Sequence, residues 1–280
     1  MHTGRRGRGE TPRCVISVRP FTIRRTGNGV AQRDGAGHAG GVIEVRLTGG
    51  RSMASVIRVG ETVRRFRSAG SEFAARVLVY LNSIGFAYAP RYFGTDADGR
   101  DVLAYVPGAT TDHPGQRAAG AYAAGGRMLR DLHDATAGHP LAGSGECVVH
   151  GDAGPFNTTF RDGMPVALID WESCAPGARL SDLGYMAWTW CIQASGHVPL
   201  ASQAQHLREL RDGYGSIEGD NLLAAVVRSQ TRIAELEAIV REDRRAPQMR
   251  REHARQAIDW AAGDRDLVER NKALFRIALR

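Results

Sequence analysis

The dipeptide Asp162-Gly163, set between the runs Thr158 to Arg161 and Met164 to Ile169, constrains this chain more than any other feature. A two-residue hairpin loop needs positive φ at both central positions, and Asp-Gly supplies that at little cost, so the two runs are predicted to pair as an antiparallel hairpin. Such a fold-back lays the start of the first strand against the end of the second. Asn157 is therefore expected beside Leu168 to Asp170, although thirteen residues separate Asn157 from Asp170. Asp152 lies in the loop just before the hairpin. One amide and two carboxylates are thus predicted at one end of a rigid element.

Around that hairpin the pattern changes character along the chain. Val42 to Leu47 alternates, Ala54 to Val59 reads as a strand, and Gly60-Glu61 forms a tight turn into Thr62 to Phe66. Ser71 is placed as the cap of a helix to about Asn82, with Phe73, Val77, Leu78 and Leu81 on one face. A further hairpin uses Pro90 to Gly94, the turn Asp96 to Gly99, and Val102 to Val106, and Pro107-Gly108 closes it. Ala118 to Ala137 is Ala-rich and helical, with Met128, Leu129 and Leu132 inward and Gly138 as the stop, and it leads to Val148-Val149. Beyond Asp182 the chain is helical, with Leu222, Val226, Ile233, Leu236 and Val240 at helical spacing. The reading is an α+β, two-lobed chain: a β-rich lobe over 42–107 with one helix, and an α-rich lobe over 108–280. Residues 1–41, rich in Gly and Arg without a sustained period, read as a disordered extension.

Composition narrows the chemistry. The chain carries a net charge of +7, but residues 1–41 hold eight arginines against Glu10 and Asp34, so the remainder is close to neutral. A domain that tracks a nucleic-acid backbone is expected to carry its own basic face, and this one does not. Among 37 basic residues Lys272 is the only lysine, which excludes a GK[ST] phosphate loop and leaves arginine for any phosphate contact in the first lobe. The four cysteines, Cys14, Cys147, Cys174 and Cys191, lack CxxC spacing and read as small buried hydrophobes. No apolar run is long enough for a membrane span, and no signal-peptide pattern opens the chain, so a cytoplasmic protein is expected.

The chemistry-bearing segment is His150-Gly151-Asp152-Ala153-Gly154-Pro155-Phe156-Asn157, then Ile169-Asp170-Trp171-Glu172, then Asp182-Leu183. A small set of hard oxygen ligands suits Mg²⁺, which takes the rest of its shell from water and substrate phosphates. Phosphoryl transfer asks for metal, a carboxylate to orient and deprotonate the acceptor, and a backbone cover over the phosphates. The pattern HxDxxxxN, hydrophobic-Asp-Trp-Glu and a downstream Asp-Leu resembles the aminoglycoside phosphotransferase and choline kinase group, relatives of protein kinases. The resemblance runs from about residue 42 to the end, with sharp motifs over 148–185.

It implies a protein-kinase-like fold and transfer of the γ-phosphate of ATP or GTP, with Mg²⁺, to a hydroxyl of a small molecule such as an antibiotic. Within it Asp152 is the base, Asn157 and Asp170 bind metal, and Asp182 braces the loop. His150 is read as a structural support of that loop. Gly49, Gly50 and Ser52 lie where the phosphate-covering loop belongs, and an ordinary hairpin turn fits them equally. The family's strand lysine has no counterpart, so Arg64 or Arg65 takes its place; strand alternation puts them on opposite faces. Glu72 is a candidate partner for that arginine. The backbone at Leu103 to Val106, with Tyr105, is where the resemblance puts the adenine.

Trp171, Trp188 and Trp190 read as core, and His133 as a packed or capping group. Glu209, Asp212, Glu218 and Asp220 are candidates for attracting a cationic acceptor. The missing lysine motivates a second reading, a non-catalytic, immunity-type binding protein on the same fold. A metal-dependent phosphohydrolase is a third.

Overall fold

The computed structural model describes residues 44–47, 56–215 and 217–280, with only the backbone for 44–47. Gly49, Gly50, Ser52 and the extension over 1–41 lie outside the described residues. Five short strands form one antiparallel sheet: β1 (Glu44–Leu47), β2 (Val56–Val59), β3 (Thr62–Arg65), β4 (Tyr92–Thr95) and β5 (Asp101–Ala104). Their order is β1-β2-β3-β5-β4. Gly60, at φ 60°, makes the β2–β3 turn at the predicted place. Helix α1 (Ser71–Ser83) is inserted between β3 and β4 and buries Ala74, Val77, Leu78 and Leu81.

The α1 entry differs from expectation. Gly70, not Ser71, is the capping residue, and no side chain caps the helix. Ser71 is instead buried as the first helical residue, and its hydroxyl accepts from the Ser68 amide at 2.9 Å and donates to Glu172 Oε1 at 3.1 Å. A long-range partner has taken the oxygen that a local cap would have used. A side chain at Gly70 would put its Cβ 2.0 Å from the Glu172 carbonyl oxygen, so this corner of the sheet lobe sits directly on the 170–172 segment.

The second part is mostly helical. Helix α2 (Ala121–Thr136) buries Met128, Leu129 and Leu132 as anticipated, and Gly138, at φ 72°, ends the segment. It is followed by α3 (Arg179–Cys191), α4 (Leu200–Tyr214), α5 (Gly219–Glu242), α6 (Gln248–Arg270) and α7 (Lys272–Ala278). Trp188 and Trp190 are fully buried on α3. Asp264 of α6 is also buried; it accepts from Trp188 Nε1 at 2.8 Å and from the Ala194 amide at 2.6 Å, and burial pushes its pKa up to about 6. The thiols of Cys147, Cys174 and Cys191 are free and buried, in line with the sequence reading. Helix α5 is covered less completely beyond Gln230: Ile233 is half-buried against the core, whereas Leu236 is exposed despite its helical spacing, as is Ile239. Periodicity shows which residues share a face but not how far the neighbouring helices cover it.

Helices α2 and α4 approach backbone to backbone through two glycines. A Cβ on Gly126 would meet the Leu210 carbonyl oxygen at 2.1 Å, and one on Gly213 the Ala123 carbonyl oxygen at 2.0 Å. Gly126→Ala gains about 1 kcal/mol of helix propensity and loses more by forcing the helices apart. A net destabilisation of roughly 1–2 kcal/mol is expected from a urea melt.

Two small ladders link these parts. Strand β6 (Cys147–Val149) pairs with β9 (Ala175–Gly177), and β7 (Thr158–Arg161) pairs with β8 (Met164–Leu168). Asp162 and Gly163 have φ of 50° and 75°, as the hairpin reading requires. Strand β9 was not anticipated; it holds Pro176 and Gly177, residues that weaken a strand and fit only a sheet edge. The linker after β5 lies on the hairpin: Ala109 and Phe160 exchange backbone hydrogen bonds at 2.9 and 2.7 Å.

Candidate functional site

The hairpin register brings Thr158 opposite Leu168, and the Ile169 amide donates to the Asn157 carbonyl at 2.8 Å. Asn157 and Asp170 are therefore neighbours at the open end of the β7–β8 pair, as the turn dipeptide implies. Asp170 itself is left-handed, at φ 65° and ψ 61°, where the chain leaves β8 for a single 3-10 turn. Asn157 Nδ2 donates to the Asp152 Oδ2 at 2.8 Å and to the Asp152 carbonyl at 3.0 Å. This turns the amide oxygen of Asn157 the other way.

Asp152 is held from a second side by a residue the sequence reading missed. The Tyr185 hydroxyl donates to Asp152 Oδ1 at 2.5 Å from a nearly buried position on α3. The signal was present in principle, since Tyr185 stands one helical turn after Asp182 and so shares its face. Reading the stretch beyond Asp182 only as helical gave no reason to single it out. Tyr185→Phe removes a bond to a carboxylate and is expected to cost roughly 1.5 kcal/mol, measurable by chemical denaturation.

Beneath the loop, Asp182 is buried and accepts three hydrogen bonds. The His150 amide reaches Oδ2 at 2.7 Å, the Gly151 amide reaches Oδ1 at 3.0 Å, and His133 Nε2 reaches Oδ2 at 3.2 Å. Burial acts to raise the Asp182 pKa, but the hydrogen bond and charge of His133, together with His150, outweigh it and hold the group below its ordinary value. His133 Nδ1 lies 2.8 Å from the Tyr214 hydroxyl, so a residue read as a packed or capping group belongs to the bracing network. The His150 ring is buried, donates Nε2–H to the Ile169 carbonyl at 3.1 Å and stands edge-on to Trp171. Burial depresses its pKa. Gly151 has φ 79°, and a Cβ there would sit 2.3 Å from the Ser173 carbonyl oxygen, so the position demands glycine.

Arg64 and Arg65 part company on the two faces of β3. Arg64 donates to Thr62 Oγ1 at 2.6 Å and pairs with Asp96 at 3.5 Å. Arg65 turns to the hairpin end, where its Nη2 lies 2.7 Å from Asp170 Oδ1 and 2.5 Å from Glu172 Oε2. The expected Arg65–Glu72 pair is not formed: Glu72 is exposed and has no ion pair among the described residues. Ser71 faces Glu172, and the next helical residue is swung about 100° away. Tyr105 directly follows β5. Its amide donates to the Glu61 carbonyl at 2.9 Å, and that of Ala104 to Arg91 at 2.8 Å, so both amides are spent inside the sheet. The Tyr105 ring lies under Arg58, 3.7 Å from the guanidinium carbon.

Two of the four acidic candidates on the helices are ion-paired. Asp212 pairs with Arg211 at 2.6 Å, and Asp220 pairs with Arg276 at 2.6 Å. Among the described residues no group of three or more His, Cys, Asp or Glu could hold a metal, and no helix is long and apolar enough to cross a membrane.

Comparison with known proteins bears on the family and the fold. The sequence model described as "Phosphotransferase enzyme family" matches residues 139–219, the stretch holding Asp152, Asn157, Asp170 and Asp182. The trifolitoxin immunity protein of Rhizobium leguminosarum bv. trifolii is 35% identical over 195 residues, covering 61% of this chain and 74% of that protein. Among solved structures, a choline/ethanolamine kinase family protein from Mesorhizobium loti superposes with a TM-score of 0.57 at 18% identity, over 86% of this chain and 94% of that one. A thermostable mutant of an aminoglycoside phosphotransferase gives 0.55 at 15% identity, over 82% and 95%. An ADP-bound aminoglycoside phosphotransferase gives 0.51 at 12%, over 81% and 94%. With its small antiparallel sheet set against a larger helical part and its motifs in this order, the chain belongs to the phosphotransferase enzyme family and has the two-lobed, protein-kinase-like fold of aminoglycoside phosphotransferases and choline kinases.

Proposed function

We propose that this chain transfers the γ-phosphate of ATP to a hydroxyl of a small molecule, with Asp152 as general base. The observation that carries the reading is the Asp152 carboxylate, fixed at one oxygen by Tyr185 and at the other by Asn157, with Asp170 at the same hairpin end. An ionised carboxylate has about four lone-pair sites, and one held in place in this way is suited to take the acceptor's proton. As the acceptor oxygen bonds to the γ-phosphorus, its proton passes to a carboxylate oxygen of Asp152, and ADP departs with the electrons of the broken P–O bond.

The donor set fits Mg²⁺. The Asn157 amide points its nitrogen at Asp152, leaving its oxygen and the half-exposed Asp170 carboxylate as hard ligands, few in number as that ion prefers. Asn157 and Asp170 would hold it, and when bound it supplies neutralising charge to the phosphates. Arg65 serves the phosphates from β3, and His150, His133 and Asp182 hold the base loop in register. Cytoplasmic residence is part of the same reading.

Two observations favour a second reading, a non-catalytic immunity-type protein that binds nucleotide or a small toxic ligand. Arg65 lies on Asp170, and the curated relative is named for immunity to a toxin. ATP turnover with Mg²⁺ over a panel of hydroxylated small molecules separates the two. Aminoglycosides, other antibiotics, choline-like alcohols, sugars and amino-acid hydroxyls belong in it. ADP together with a phosphorylated acceptor is the expected result; nucleotide binding with no product on any acceptor would replace the kinase reading by the binding one.

A further inference from the structure

Arg65 reaches both acidic residues of the 170–172 segment through one nitrogen, yet the two carboxylates differ in how firmly they are held. Glu172 is anchored: its other oxygen takes the Ser71 hydroxyl at 3.1 Å, and its backbone is in contact with Gly70. The Asp170 side chain is 42% exposed against 26% for Glu172, and Arg65 is its one ion-pair partner among the described residues. A guanidinium has five N–H donors in a planar fork, so it can release Asp170 while keeping Glu172.

Charge counting gives this arrangement a direction. One arginine against two carboxylates leaves the cluster at a net charge of −1, formally. A divalent cation would take it to +1, which phosphates would then offset. Metal alone is thus opposed by the neighbouring guanidinium, whereas metal and nucleotide together are favoured.

We propose that Arg65 is an exchangeable counter-ion of Asp170: it occupies that carboxylate until a metal–nucleotide complex arrives, then turns to the phosphates while staying on Glu172. The inference rests on the reading of Asp170 as a metal ligand. It makes metal entry depend on nucleotide, and it gives a reason for arginine where the family resemblance implies lysine. A lysine ammonium is a compact point charge without the planar fork needed to stay on one carboxylate and turn to another group.

The test measures Mn²⁺ binding by electron paramagnetic resonance on the full chain, with and without ADP, for wild type, Arg65→Gln, Arg65→Lys and Asp170→Asn. Arg65→Gln is expected to bind Mn²⁺ alone about tenfold more tightly than wild type and Mn²⁺–ADP about tenfold more weakly. Those opposite signs are not produced by a merely structural role. Unchanged Mn²⁺ affinity in Arg65→Gln, with Mn²⁺–ADP binding lost in Asp170→Asn, overturns the exchange and leaves the phosphotransfer reading standing. Mn²⁺–ADP binding that ignores Asp170→Asn overturns both. If circular dichroism shows that Arg65→Gln does not fold, Arg65→Lys decides. A several-fold gain in Mn²⁺ affinity supports the proposal, and wild-type affinity overturns it.

Discussion

Asp152→Ala is expected to lower turnover by about 10²–10⁴-fold, the usual contribution of a positioned general base, while leaving the KM for ATP within about twofold. Tyr185 and Asn157 approach the carboxylate from two sides, so its place is set by α3 and by the hairpin together. Removing it takes away the proton acceptor without touching the sheet lobe. Steady-state kinetics on the acceptor found by the panel would check this. A variant with wild-type kcat would remove Asp152 from the chemistry and move the reading toward the binding protein.

The largest effect on stability is expected at Asp182. This buried carboxylate accepts the amides of His150 and Gly151 and the His133 ring, so it ties α3, α2 and the base loop together. Asp182→Asn places an NH₂ against an N–H donor and is expected to cost about 3 kcal/mol, read by urea denaturation. Acid dependence should change as well. A carboxylate held below its ordinary pKa contributes stability that is present above its unfolded value, 3.8, and is lost as pH falls through the folded one. The wild type should therefore lose this increment in the acid range below pH 3.8, and the variant should lack that part of the slope. His150 acts at higher pH with the same sign. Its pKa is depressed by burial, so unfolding takes up a proton once pH drops below 6.5, and stability begins to fall there in both proteins. A pH series of melts on the two proteins distinguishes these windows.

Much of the fold could be read locally. Asp162-Gly163 dictates a hairpin because the backbone conformation it prefers matches the twist of paired strands, and β7 and β8 pair on either side of it with one register shift between Thr159 and Phe160. The same register makes Asn157 and Asp170 neighbours, which is why that part of the candidate site was legible before any tertiary contact was known. Helices α1 and α2 were equally readable from the spacing of their apolar residues. The short strand β9 and the exposed second half of α5 were not. An edge strand containing proline depends on a distant partner, and a helical stripe is buried only as far as another helix covers it.

What the chain determines by itself, then, is the set of groups that neighbour one another through short turns and fixed periodicity: the Asp152 loop, the hairpin, and the side chains at its open end. Which groups meet across the molecule was decided only by tertiary structure. Arg65 rather than Arg64 faces Asp170, Glu172 rather than Glu72 receives it, Tyr185 holds Asp152, and His133 braces Asp182. Local sequence sets backbone dihedrals over a few residues, whereas these contacts join distant positions, such as Arg65 and Asp170, 105 residues apart. Their geometry depends on how the sheet, α1 and α3 pack, and the mutual burial of those surfaces fixes it.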